Sequence, residues 1–203
     1  MYHYFSRYEQ RLQEKITAKR DQYLRPLLVL LSRAGVKADH LTYFSVVSLI
    51  LGALIITKLP VLGGIGFLTY CLMDGVDGPL SRYQKTDSPR GSILDIFADQ
   101  VGVVVLPMFS MIYFGSDAVF GYLFGLFYLL YIIFIIILNS KGISLAFVLR
   151  VKYVYYLLFF FSAYYHYDLL SWFYRIFGSF YTISSVLLIR RILKVYEGEP
   201  RGA

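Results

Sequence analysis

With 203 residues, 58% of them hydrophobic, 19% aromatic and only 16% charged, the chain is excluded from the water-soluble globular class. At ~20 apolar residues per span, it has room for about six transmembrane helices in one domain. The single Cys71 excludes an internal disulfide and reads as a small buried hydrophobe. The net charge of +7 calls for no nucleic acid, because the basic residues fall along membrane borders.

The N-terminus is polar and basic, without the short apolar core of a cleavable leader. Tyr4, Tyr8, Leu12 and Ile16 recur every four residues, while Arg7, Arg11, Lys15 and Lys19 fill an adjacent face. That spacing predicts an amphipathic helix lying flat on an anionic leaflet. Residues 41–57 are predicted as the first span, closed by Lys58 and Pro60, and residues 61–78 as the second. Gly63, Gly64 and Gly66 in the second let neighbouring helices approach closely. Residues 79–90 are polar, contain Pro79 and Pro89, and read as a short helical extension or a loop. A third span is expected from Gly91 to Phe114 and a fourth from Ala118 to Leu138. Residues 143–189 hold two more, with His166, Tyr167 and Asp168 at the turn between them, and Arg150 and Lys152 blur the start of the fifth.

Charge orients this bundle. With both termini on one side, eighteen of the twenty Lys and Arg residues share that face, leaving only Lys58 and Arg175 on the other. The bias places that face in the cytoplasm.

Residues 74–99, DGVDGPLSRYQKTDSPRGSILDIFAD, put four aspartates into a chain otherwise built for lipid. An ionised side chain at the centre of a membrane helix costs ~3 kcal/mol or more, so the group needs a compensating partner. Residues three or four apart share a helix face. Asp74 and Asp77 therefore project together from span two, and Asp95 and Asp99 from span three. Four carboxylates across one gap are hard oxygen ligands suited to Mg²⁺, Mn²⁺ or Ca²⁺. Two such ions ~4 Å apart would clamp a pyrophosphate between them. Gly78 and Gly91 leave room for a base or ribose against the backbone, and Arg82 offers a planar fork to phosphate oxygens.

The spacing D-x2-D-G-x2-S-R-x8-G-x3-D-x3-D resembles the motif of the CDP-alcohol phosphatidyltransferase family, D-x2-D-G-x2-A-R-x8,9-G-x3-D-x3-D, with Ser81 in place of the usual Ala. GVKADHLT at 35–42 is similar, more loosely, to the family's Gly-x-x-Pro-Asn-x-x-Thr segment, with Ala38 and Asp39 replacing Pro and Asn. The resemblance covers roughly residues 35–190. It implies an all-α integral membrane protein with six transmembrane helices preceded by an amphipathic interfacial helix. The parts would be a basic juxtamembrane arm at 1–34, a catalytic domain at 35–192 and a polar tail at 193–203. Asp74, Asp77, Asp95 and Asp99 would bind two Mg²⁺ or Mn²⁺ ions, and Asp99 would also take the proton of the acceptor hydroxyl. Asp74, Asp77, Gly78, Ser81, Arg82 and Gly91 would hold the nucleotide. The implied reaction moves a phosphatidyl group from CDP-diacylglycerol, or a phospho-alcohol from a CDP-alcohol, to a hydroxyl acceptor, yielding a phospholipid and CMP. A homodimer embedded in membrane lipid, with the site and both termini cytoplasmic, is implied as well.

Lys141, Arg150, Lys152 and Arg190 on the cytoplasmic face are candidates for an anion pocket for a phosphorylated acceptor, set against a role in orientation alone. Two other classes compete with the enzyme. A divalent-cation transporter would continue its polar residues to the far side, whereas spans two and three are apolar beyond the motif. A catalytically silent member binding lipid or nucleotide would lack a ligand or the base, and all four aspartates are present.

Overall fold

The structure is a computed structural model that describes residues 7–143, 145 and 148–197, with side chains from residue 17 onward. Its elements are α1 (Arg7–Arg33), α2 (Ala38–Ile55), α3 (Pro60–Gln84), α4 (Pro89–Phe114), α5 (Ala118–Ser140), α6 (Lys152–Tyr165) and α7 (Leu170–Glu197). No strand occurs among the described residues. Four helices, α2, α4, α5 and α7, are long and apolar enough to cross a membrane, and the chain is a multi-pass membrane protein.

Large apolar side chains point outward along these helices, among them Phe44, Val47, Leu51 and Leu54 on α2 and Met108 and Ile112 on α4. The interior is built from aromatics. Phe124, Tyr128, Tyr155, Phe173, Tyr174 and Tyr181 are all buried, and three of the hydroxyls find partners inside: Tyr155 meets Tyr174 at 2.9 Å, Tyr174 meets Ser110 at 2.7 Å, and Tyr181 donates to the Leu149 carbonyl at 3.1 Å.

α2 and α3 pack backbone to backbone. A Cβ on Gly66 would stand 2.8 Å from the Ser48 carbonyl oxygen and 2.9 Å from the Gly52 Cα. Glycine is therefore required at this crossing, as the sequence indicates for Gly63 and Gly66, while Gly64 makes room for the Phe160 ring. Helix α1 reaches the bundle through Leu28, buried with Leu41, Val76 and Leu80 and flanked by Leu24 and Leu31. The amphipathic stripe expected from Tyr4 to Ile16 lies outside the residues whose side chains are described.

Two readings that the sequence left open resolve. The polar stretch after residue 78 is mostly helix: α3 runs on to Gln84 and stops where Lys85 turns left-handed at φ 55°, its amide donating to the Ser81 and Arg82 carbonyls. Pro79 lies inside α3 and does not end it, although its ring has no amide to donate to the Gly75 carbonyl. The fifth segment begins at Lys152, and α6 has 14 residues, about 21 Å at 1.5 Å per residue. That is shorter than the ~30 Å hydrocarbon core. The turn at His166 to Asp168 is where the sequence places it, with His166 at φ 51°.

Candidate functional site

Asp74 comes from the second half of α3, Asp95 and Asp99 from the second and third turns of α4. One carboxylate oxygen from each lies within 4.8 Å of the other two. The i, i+4 spacing aligns the α4 pair, and packing of α3 against the same space brings Asp74 to them.

Asp77 is arranged differently from the expected face-to-face quartet. Its Oδ2 accepts a 2.7 Å hydrogen bond from Thr42 Oγ1 on α2, and its Oδ1 accepts one of 2.7 Å from the Gly78 amide. The close α2–α3 crossing puts Thr42 within reach and draws this carboxylate toward α2. The site is thus a triad plus a separately held fourth acid.

A cation already sits on the triad. Lys152, the first residue of α6, is buried, and its Nζ donates to Asp99 Oδ1 in a short contact and to Asp74 Oδ2 at 3.3 Å. Tyr153 Oη donates to the same Asp74 oxygen at 2.8 Å. Lys152 also lies over the Tyr70 and Tyr153 rings at 5.8 and 4.9 Å. Converging carboxylates that attract a buried ammonium form a donor set for a hard cation, without the His or Cys a zinc site would recruit. The residues present fit a divalent ion.

Beside the triad opens a cavity of about 600 Å³, within the range of small-molecule sites. Its wall includes Asp77, Gly78, Ser81, Arg82, Gly91 and Asp95. Asp95 therefore belongs both to the triad and to the cavity. Local caps shape this wall. Ser88 starts α4 by accepting the Gly91 amide at 3.1 Å, and Ser81 Oγ donates to the Gly78 carbonyl at 2.9 Å. The Arg82 guanidinium is gripped on one edge by Asp21 of α1, Nε to Oδ2 and Nη2 to Oδ1 both at 2.8 Å. Arg82 holds the Asp21 carboxyl below its ordinary value of 3.8 through that hydrogen-bonded pair.

The basic candidates separate. Lys152 is turned into the acidic cluster, whereas Lys141 lies over the Tyr196 ring at 4.7 Å. Arg150 precedes α6 in the non-helical connection.

Sequence reasoning missed Asp21, Tyr153 and the counter-ion role of Lys152. Each had a faint signal: Asp21 interrupts a basic run after Lys19 and Arg20, and Lys152 is a lysine directly ahead of the apolar stretch YVYYLLFFF.

The CDP-alcohol phosphatidyltransferase family model matches residues 36–189. No curated protein matches the chain. The matched region is most of the chain, which therefore belongs to the CDP-alcohol phosphatidyltransferase family.

Proposed function

We propose that this protein transfers a phosphatidyl group from CDP-diacylglycerol, or a phospho-alcohol from a CDP-alcohol, to a hydroxyl acceptor, making a phospholipid and releasing CMP. The observation that carries this reading is Asp95, shared between a cation-competent triad and a cavity walled by Gly78, Ser81, Arg82 and Gly91. Diphosphate chemistry needs a cation site and a nucleotide-sized recess in contact, and here one side chain belongs to both.

Asp74, Asp95 and Asp99, with Asp77 from the cavity wall, would hold the Mg²⁺ or Mn²⁺ ions, which supply positive charge to the pyrophosphate oxygens. Thr42 and the Gly78 amide fix the Asp77 carboxylate so that it enters the site in one orientation. Gly78 and Gly91 leave the nucleotide room beside the backbone, and Arg82 meets its phosphates. Asp99 takes the proton of the acceptor hydroxyl at a carboxylate oxygen. The acceptor oxygen then bonds to the phosphorus as the bond to the CMP oxygen breaks. Lys152 donates to Asp74 and Asp99, so it offsets part of the cluster's negative charge and would give up those oxygens to a divalent ion held there.

The remaining parts of the proposal have their own supports. Six spans follow if α3 and α6 complete the bundle beside the four long apolar helices. The charge bias of the sequence supports cytoplasmic termini and a cytoplasmic site. A homodimer is supported by family membership. The test is CMP release from purified protein given CDP-diacylglycerol, Mg²⁺ or Mn²⁺ and a panel of alcohols, then CDP-alcohols with diacylglycerol. Release with one combination is expected. A panel silent throughout overturns the proposal.

A further inference from the structure

From the Asp21–Arg82 pair we infer that Asp21 of α1 is a positioning residue for the donor site: it fixes the Arg82 guanidinium so that one edge is clamped and the other is presented to the cavity. The inference rests on the function proposed above and adds to it a residue outside the motif.

Asp21 is held in place by packing. It stands three residues before Leu24 and seven before Leu28, on the same helix face. Leu24, Leu28 and Leu31 pack with Leu41, Val76 and Leu80, tying α1 to α2 and α3. The carboxylate therefore approaches Arg82 from a fixed backbone. It receives Nε and Nη2 in two parallel 2.8 Å bonds, the fork-to-fork geometry that sets the guanidinium plane.

The third nitrogen is the one left to act. Arg82 Nη1 has no hydrogen-bond partner among the described residues and lies 3.4 Å from where a Cβ on Gly78 would stand. Glycine leaves that nitrogen unobstructed on the cavity side, and both Arg82 and Gly78 line the cavity. Asp21 is not in the lining, so its charge sits behind the guanidinium. A free arginine would lose rotamer freedom on gripping a phosphate, and an arginine already clamped avoids most of that cost.

The experiment measures CDP binding to the purified full-length protein in Mg²⁺ or Mn²⁺, with donor-dependent CMP release alongside. Asp21→Asn is expected to weaken CDP binding about tenfold and to raise the donor KM more than it lowers kcat. Asp21→Glu, which keeps a carboxylate, recovers part of the loss. Arg82→Lys weakens binding similarly, and the double variant Asp21→Asn/Arg82→Lys is no weaker than Arg82→Lys alone, because the fork has then already been lost. Unchanged or tighter CDP binding in Asp21→Asn, or losses that simply add, overturns the inference and leaves the proposed function standing. A wild-type protein that takes up no CDP overturns both.

Discussion

Lys152 Nζ lies 3.3 Å from Asp74 Oδ2 across the gap between α6 and α3, inside the cluster of acids that a divalent cation would occupy. One ammonium against three converging carboxylates leaves the cluster short of positive charge, and its removal leaves the acids with none from this side chain. Breaking a buried ion pair by deleting one partner costs roughly 3–5 kcal/mol. Lys152→Met is therefore expected to melt well below wild type in chelator, and Mg²⁺ or Mn²⁺ is expected to narrow that gap. Melting curves with and without metal check this, and a gap insensitive to metal would argue that no cation enters the triad.

Asp99 and Asp74 separate by role. Asp99→Asn keeps a side chain of the same shape but cannot take a proton, so turnover is expected to fall about a hundredfold or more while CDP binding is retained better than in Asp74→Asn. Asp74→Asn removes a triad oxygen charge, and metal-dependent binding itself should weaken. Nucleotide titrations alongside CMP release distinguish the two, and near-normal turnover in Asp99→Asn would remove it as the base.

Thr42 reaches a carboxylate that packing has already buried. Thr42→Val deletes the donor to Asp77 while keeping the volume, at a cost of roughly 1–3 kcal/mol. Thr42→Ser should recover most of it. Thermal denaturation of the three proteins reads the difference.

The α2–α3 crossing allows an internal comparison between two glycines of one helix. Gly66→Ala forces a methyl against the Ser48 carbonyl and the Gly52 Cα, both backbone, whereas a Cβ on Gly75 meets nothing within 4 Å. Gly66→Ala is expected to destabilise by about 1–3 kcal/mol. Gly75→Ala should be neutral or slightly stabilising. Equal melting temperatures for the two would contradict the packing.

The Asp21–Arg82 pair has a predictable pH window. The folded Asp21 carboxyl titrates below the ordinary 3.8, so its contribution is fully present above that value and disappears as pH falls through the lower folded one. The melting-temperature difference between wild type and Asp21→Asn should hold from pH 7 down to about 5 and close below about 4. A difference that instead closes near neutrality would assign the effect to another group.

By itself the sequence determined the membrane class, the all-helical fold and the acidic motif, because these depend on local quantities. Apolar run length marks α2, α4, α5 and α7 as long enough to cross a membrane, and i, i+4 spacing aligns Asp95 with Asp99. The glycines of α3 announced a close crossing without saying which backbone they would meet.

Tertiary structure alone decided how the acids divide. Asp77 was expected to join Asp74, yet Thr42, 35 positions earlier in the chain, holds it toward α2. Lys152 stood among the candidates for an anion pocket, and the turn into α6 aims it at Asp74 and Asp99 instead. Asp21 gave no motif at all, since its partner Arg82 is 61 residues away. Hydrogen-bond partners that far apart are chosen by how helices pack, and a single chain's residue pattern encodes the faces of helices but not which faces meet.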